Sequence, residues 1–253
     1  MFDSRTTVFF GLLFFSLTPR PFAQTPDALL KAVDKNMTFG TRSVLAEMTI
    51  VTPQGEQHKT LRIFSDGWEK VFVHFEVPAK DAGSKFLKIE KNLWAYFPKA
   101  EKVIKISGHL LREGMMGSDF SYEDMTETRT LADQYDAVQT GEDTLGGQPC
   151  AVLMLTEKQR GLSYPKRKMW VNREQQFPVK EELYGFSGAL MKTVEYGDMR
   201  LAGSRLYPHR FAMTDKLRKG SGTTIVYKEL KFNLILPKDV FEQRVLTRPF
   251  KVK

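Results

Sequence analysis

Ser43-Val44-Leu45-Ala46-Glu47-Met48-Thr49-Ile50-Val51 and, further on, Trp68-Glu69-Lys70-Val71-Phe72-Val73-His74-Phe75-Glu76-Val77 decide the fold. In the first stretch Val44, Ala46, Met48 and Ile50 alternate with Leu45, Glu47, Thr49 and Val51. In the second, Val71, Val73, Phe75 and Val77 share one face, while Lys70, His74 and Glu76 share the other. Successive side chains of a strand point to opposite faces, so a period of two predicts strands with one packed face. Between them, Pro53-Gln54-Gly55 reads as a turn into a strand over His58–Phe64, and Asp66-Gly67 as a two-residue hairpin turn.

The same rhythm continues downstream. Phe86–Ile89, Leu93–Phe97 and Lys102–Ile106 read as short strands, and Tyr135–Thr140, Gln148–Thr156, Lys166–Asn172, Pro178–Tyr184, Leu190–Tyr196, Tyr207–Thr214 and Thr223–Phe232 follow after a gap. About twelve strands with turn signals every 8–12 residues or so indicate a barrel or a sandwich. Ahead of them, Thr25 can cap a short helix whose first turn holds Pro26 and whose Leu29, Leu30 and Val33 share a face. Pro237–Glu242 reads as one further helical turn. No Pro/Ser-rich linker interrupts the chain, so residues 24–253 form one mainly β domain.

Residues 1–23 are set apart from that domain. Arg5 precedes the apolar run Val8–Leu17, and a polar stretch ends in Pro21-Phe22-Ala23-Gln24. A positive start, an apolar core and a small residue before a polar one are the layout of a secretory signal peptide. The run falls short of the roughly 20 apolar residues that span a bilayer. Cleavage is expected near Ala23, giving an exported chain with no lipid anchor, since no cysteine lies near that point.

Composition narrows the chemistry. The chain has 253 residues, a formal net charge of +8 and one cysteine, Cys150, in the apolar run Cys150–Leu155. A lone cysteine makes no internal disulfide, and in such a run it reads as a small buried hydrophobe. An exported basic protein meets anionic lipid or an acidic partner rather than nucleic acid. The dense basic run Lys166-Arg167-Lys168 could contact head groups or a partner, or could be the protective lysines of an edge strand.

Catalytic signatures are missing. His58, His74, His109 and His209 are far apart and none belongs to a metal-ligand pair, with His74 expected to be exposed. Gly185-Phe186-Ser187-Gly188-Ala189 half-resembles a nucleophile elbow but has no last glycine and no following helix. Phosphate-cradling and dinucleotide fingerprints are absent, so neither a cofactor nor a metal is expected. Asp119, Glu123, Asp124 and Glu127 could form an acid/base pair or a cation site, or could simply favour the start of a short helix. The expectation is a binding protein rather than an enzyme.

The gap in the strand pattern, from Gly108 to about Ala132, carries Glu113-Gly114-Met115-Met116-Gly117-Ser118-Asp119-Phe120-Ser121-Tyr122-Glu123-Asp124-Met125. Ser121 and Asp124 can form a capping box for a short helix near Tyr122. Methionine adapts to apolar partners of variable shape, so Met115, Met116 and Phe120 form a candidate lid over an apolar face. Such a lid could cover an acyl-chain site reversibly, or its methionines could be permanent core plugs.

The signal-like start, short helix, β meander and terminal Leu236-Pro237-Lys238-Asp239-Val240-Phe241 turn together resemble the LolA-like outer-membrane lipoprotein-sorting family, the periplasmic lipoprotein carrier superfamily. Gly117–Met125, following Leu93-Trp94-Ala95-Tyr96-Phe97-Pro98, is similar to one branch of that superfamily. The resemblance implies an incomplete, half-open β-barrel with short helices lidding its concave face. It also implies a monomeric periplasmic carrier of lipid or acylated lipoprotein, working between an inner-membrane ABC or RND-type transporter and an outer-membrane acceptor. A binding or sensor module that docks on such a complex and carries nothing is the alternative. From alternation, Val71, Val73, Phe75, Val152 and Met154 are expected to line the cavity beneath Met115, Met116 and Phe120. Lys166, Arg167 and Lys168 are expected to meet head groups or a partner.

Overall fold

The computed structural model describes residues 24–125, 130–237 and 239–250. The expected signal segment, Glu127 and Lys238 lie outside these residues. Helix α1 (Pro26–Met37) begins as its sequence predicts: the Thr25 hydroxyl accepts the Ala28 N–H at 3.3 Å, and Pro26 occupies the first turn. Its apolar face, Leu29, Leu30 and Val33, is buried.

Six strands follow: β1 (Thr41–Thr52), β2 (Gly55–Asp66), β3 (Lys70–Val77), β4 (Lys85–Ile89), β5 (Asn92–Phe97) and β6 (Lys102–Ile106). After a connection over residues 107–134, which includes the short helix α2 (Leu131–Gln134), come seven more. These are β7 (Tyr135–Leu145), β8 (Gln148–Glu157), β9 (Lys166–Asn172), β10 (Pro178–Tyr184), β11 (Leu190–Ala202), β12 (Arg205–Asp215) and β13 (Gly222–Phe232). The turn after β2 takes Gly67, Trp68 and Glu69, because Asp66 pairs with Lys70, and is one residue longer than Asp66-Gly67 alone implies. Trp68 leaves the strand to pack on Phe39 with ring centroids 4.9 Å apart.

All thirteen strands form one antiparallel sheet in the order β6-β5-β4-β3-β2-β1-β13-β12-β11-β10-β9-β8-β7. Pairing of β1 with β13 joins the two halves at the centre. The sheet does not close: β6 and β7 are its two free edges, giving an incomplete barrel. Those two edges are consecutive strands in the chain, so the segment between them has to pass from one rim to the other.

Each half is covered differently. On the inner face of β8 and β9, α1 packs Leu29, Leu30 and Val33 against Ala151, Leu153, Leu155, Met169 and Val171. On the outer face of β2–β5, a C-terminal segment lays Val240, Val245 and Leu246 over Phe64, Phe72 and Leu87. The Pro237–Glu242 region within it forms consecutive turns, with Val240 N–H bonded to Pro237 O and Glu242 N–H to Asp239 O, each at 3.1 Å. His74 is half-buried rather than exposed, because Phe250 of this segment sits 5.9 Å from its ring. No helix among the described residues is long and apolar enough to cross a membrane.

Candidate functional site

The inner face of the first half is a continuous apolar surface. Val44, Ala46 and Met48 of β1, Leu61 of β2, Val73 and Phe75 of β3, and Phe86 of β4 are all buried in one cluster. Cross-strand register explains the continuity, since Ala46 faces both Leu61 and Tyr227, and Leu61 faces Phe75. The connection between the rims lies on this surface. Its Met115 and Tyr122 are buried in the same cluster, and Met116 and Met125 pack against it.

That connecting segment is a small hairpin of its own. Met115 N–H bonds to Phe120 O at 2.7 Å and Tyr122 N–H to Glu113 O at 3.1 Å. Gly114 is required there, because a Cβ would lie 2.1 Å from the Ser118 carbonyl oxygen. The predicted capping box forms: Ser121 N–H donates to Asp124 Oδ2 at 2.7 Å, and Asp124 N–H to Ser121 Oγ at 3.3 Å.

Polar groups fasten this lid at two points. At the first, Asp119 is buried and its carboxylate accepts the Ser221 hydroxyl at 2.5 Å and the Thr223 hydroxyl at 2.7 Å. Beside it, the Arg218 guanidinium donates to the Ser118 carbonyl at 2.7 Å and the Gly117 carbonyl at 3.0 Å. At the second, the Lys192 ammonium donates to Asp124 Oδ2 at 2.7 Å and the Tyr164 hydroxyl to Asp124 Oδ1 at 3.1 Å. Burial and the neighbouring Asp124 carboxylate push the Tyr164 hydroxyl well above its ordinary pKa, so it stays a donor.

Next to that second point the sheet carries a further buried pair. Arg167 donates to Glu181 at 3.4 Å and to the Tyr135 hydroxyl at 2.9 Å, and the Tyr196 hydroxyl donates to Glu181 at 2.6 Å. Burial works against the Arg167 charge, but Tyr135 and Glu181 more than offset it and raise its pKa. Burial, then the Glu181 carboxylate, raises Tyr196 well above its usual value.

The sequence-predicted residues divide between the two faces. Val71, Val73, Phe75, Met115 and Met116 come together in the apolar cluster. Phe120 lies farther round the inner face, against Leu183, Val194 and Met213. Val152 and Met154, expected in the cavity, point to the outer face instead: Leu153 and Leu155 take the inner one under α1, and Val152 packs with Cys150 and Trp170. Strand alternation also separates the basic run. Arg167 faces inward, while Lys166 and Lys168 face outward, Lys168 lying 4.6 Å from the Trp170 ring. Strand β9 lies between β8 and β10 and is not an edge, so these lysines protect no free rim. The acids are placed too: Asp119 and Asp124 are the lid's two fastenings. Arg218, Lys192, Tyr164 and Glu181 were not singled out from sequence. Glu181 and Arg167 did leave a signal, each being a charge in the apolar phase of its strand, beside Leu183 and Met169 respectively.

A groove of about 630 Å³ opens elsewhere, between α1 and α2, and Lys31, Asp34, Lys35 and Arg205 make it charged. The apolar inner face of the first half is covered by the connecting segment, and that of β8 and β9 by α1.

A family model described as an uncharacterized protein matches residues 67–248. The chain belongs to that family. Its fold is LolA-like, shared over nearly the whole length of three solved structures. A domain from Vibrio parahaemolyticus assigned as an outer membrane lipoprotein-sorting protein has a TM-score of 0.76 at 24% identity, covering 87% of this chain and 98% of that one. A DUF1329 family protein from Desulfovibrio piger has a TM-score of 0.80 at 21% identity, covering 88% and 99%. A LolA superfamily protein from Nitrosomonas europaea has a TM-score of 0.72 at 24% identity, covering 88% and 100%. No curated protein matches the chain.

Proposed function

We propose that this protein is a periplasmic carrier that holds a lipid, or the acyl chains of a lipoprotein, between its apolar inner face and the lid, and performs no chemistry on it. One observation carries the reading. The lid covers an apolar surface, but what fastens it is polar: Asp119, Asp124, Arg218 and Lys192. Polar fastenings exchange with water at a small net loss, about 0.5–1.5 kcal/mol for each hydrogen bond, and the apolar surface left by Met115 and Tyr122 is what the cargo would cover. Burying a methylene group stabilises by about 0.8 kcal/mol, so an acyl chain of a dozen or more carbons offsets that loss. The LolA-like fold supports the same reading, as does the signal-like start. A carrier of this kind takes its cargo from an inner-membrane transporter and delivers it to an outer-membrane acceptor. The outward-facing Lys166 and Lys168 are then available to an anionic surface.

The test is to purify the exported chain, extract it with organic solvent and identify what is released by mass spectrometry. Stoichiometric phospholipid or acylated peptide is the expected result. An empty extract from folded protein that also refuses added lipid would sink the carrier reading and leave a docking module. As a companion, Met116→Asp should lower lipid uptake at least tenfold while secretion continues, and normal uptake would remove Met116 from the cargo-contacting surface.

A further inference from the structure

The geometry points to an anion site on the inner wall, at Lys192 and Tyr164, which the lid's Asp124 fills in the closed state and the carboxylate or phosphate head of an amphiphilic cargo takes over when the lid lifts. This inference rests on the carrier reading and specifies its cargo class.

Three charged groups gather around Tyr164: Asp124 of the lid accepts its hydroxyl, and Arg167 and Lys192 of the sheet lie 5.8 and 5.9 Å from its ring, Arg167 being paired in turn with Glu181. With the lid down the charges balance, Glu181 pairing with Arg167 and Asp124 with Lys192. Lifting the lid removes one anion and keeps both cations. With the lid down the Lys192 side chain is only 8% exposed, and lifting the lid takes away the carboxylate it is paired with. Asp215, directly across from Lys192 on β12, accepts the Leu217 N–H at 2.9 Å, and it is Asp124 that Lys192 pairs with among the described residues. An ammonium and a hydroxyl that have lost a shared carboxylate favour an incoming anion at the place Asp124 vacates. The donors are already aimed there, since the Lys192 ammonium and the Tyr164 hydroxyl each bond one oxygen of the Asp124 carboxylate.

Next to these donors the wall turns apolar. Leu183, Val194 and Met213 form the patch on which Phe120 now rests, with Tyr164 at its margin. A ligand that displaces the lid here meets donors for an anionic head and an apolar bed for its chain in adjoining positions. Lid and cargo therefore compete for the same two donors, and binding of the head is coupled to release of the lid.

The experiment compares matched probes on the whole exported protein. Retention after gel filtration would be measured for palmitate against hexadecanol, and for phosphatidate against the corresponding diacylglycerol, both offered in vesicles of neutral lipid. The wild type should retain each anionic probe about tenfold better than its neutral partner, and the stronger of the two identifies carboxylate or phosphate as the head. Lys192→Gln and Tyr164→Phe should each reduce that preference to threefold or less. Asp124→Asn should keep the preference and raise retention of the anionic probes severalfold. Equal retention of charged and neutral probes by the wild type would overturn the anion site and leave the carrier reading intact. An unchanged preference in folded Tyr164→Phe and Lys192→Gln, judged by near-ultraviolet circular dichroism, would do the same. Should Lys192→Gln fail to fold, Tyr164→Phe decides alone. Retention of no probe at all would overturn the carrier reading and the anion site with it.

Discussion

Besides α1, two segments outside the strands cover this sheet, and they differ in how much polar contact their buried side chains make. The C-terminal segment on the outer face buries Val240, Val245 and Leu246, with Phe250 packed 4.8 Å from the Phe72 ring. The lid on the inner face buries Ser118, Asp119 and Ser121 alongside Met115 and Tyr122. Even the charge at the outer cover acts inertly. Lys85 donates to the carbonyls of Val245 and Leu246 at 3.1 and 3.2 Å, and burial pulls its pKa below the ordinary value. Apolar contact is lost wholesale when a segment lifts, whereas hydroxyl and carboxylate contacts can be remade with water or with a ligand. On the carrier reading the outer cover is a fixed part of the fold, and the inner one the part expected to lift.

This contrast can be broken by substitution. The largest effect is expected at Leu246→Ala, where a fully buried side chain is truncated. It should lower unfolding stability by about 2–5 kcal/mol in a urea titration, with lipid uptake per folded molecule unchanged. A matching loss of uptake would mean that the outer cover is not merely structural. Asp119→Ala comes next. It strips the Ser221 and Thr223 hydroxyls of their acceptor and should ease lid opening by about 1–3 kcal/mol. Hydrogen exchange should quicken across residues 114–122 while the strands stay protected; acceleration spread through the sheet would erase the distinction between the covers. Arg218→Ala removes two donors to lid carbonyls from a partly exposed side chain, so about 1 kcal/mol, read in the same exchange experiment, is expected.

The smallest effect is acid sensitivity of the outer cover. Burial, then the Lys85 charge, lowers the His74 pKa below 6.5. The folded state thus prefers neutral imidazole, and the stability this contributes is present above pH 6.5 and declines as pH falls through the folded value. Between pH 7.5 and 5, wild type should lose more stability than His74→Phe, by about 1 kcal/mol or less. Equal losses would remove His74 from the account.

Much of this architecture is legible in the sequence. The alternation of Val44, Ala46, Met48 and Ile50 is the inner face of β1, the Thr25–Pro26 start is a real cap, and Ser121 with Asp124 is a real capping box. What failed was orientation. Strand β8 is apolar on both faces, so its own pattern could not say that Leu153 looks inward and Val152 outward; contact with Leu29 and Leu30, far away in sequence, decides it. Arg167 was grouped with Lys166 and Lys168 because adjacency in sequence hides the flip between faces, while its partner Glu181 lies on the next strand. The C-terminal cover was illegible for a related reason. Val240, Val245 and Leu246 have no period of their own, only that of the turns they occupy.

The position of the two free edges has a mechanical consequence. Because β6 and β7 are consecutive in the chain, the lid is a tether with both ends sewn into the rims rather than a flap with a loose end. Its slack is fixed by the number of residues it contains, and anything that spreads the rims draws on that slack. Flattening the sheet therefore pulls the tether taut, and bringing the rims together lets it bow outward. A few glycine and serine residues inserted beside Ser107 would add slack at little thermodynamic cost, since closing a longer loop is only slightly harder. The lid would then be uncoupled from the curvature of the sheet to which it is tied.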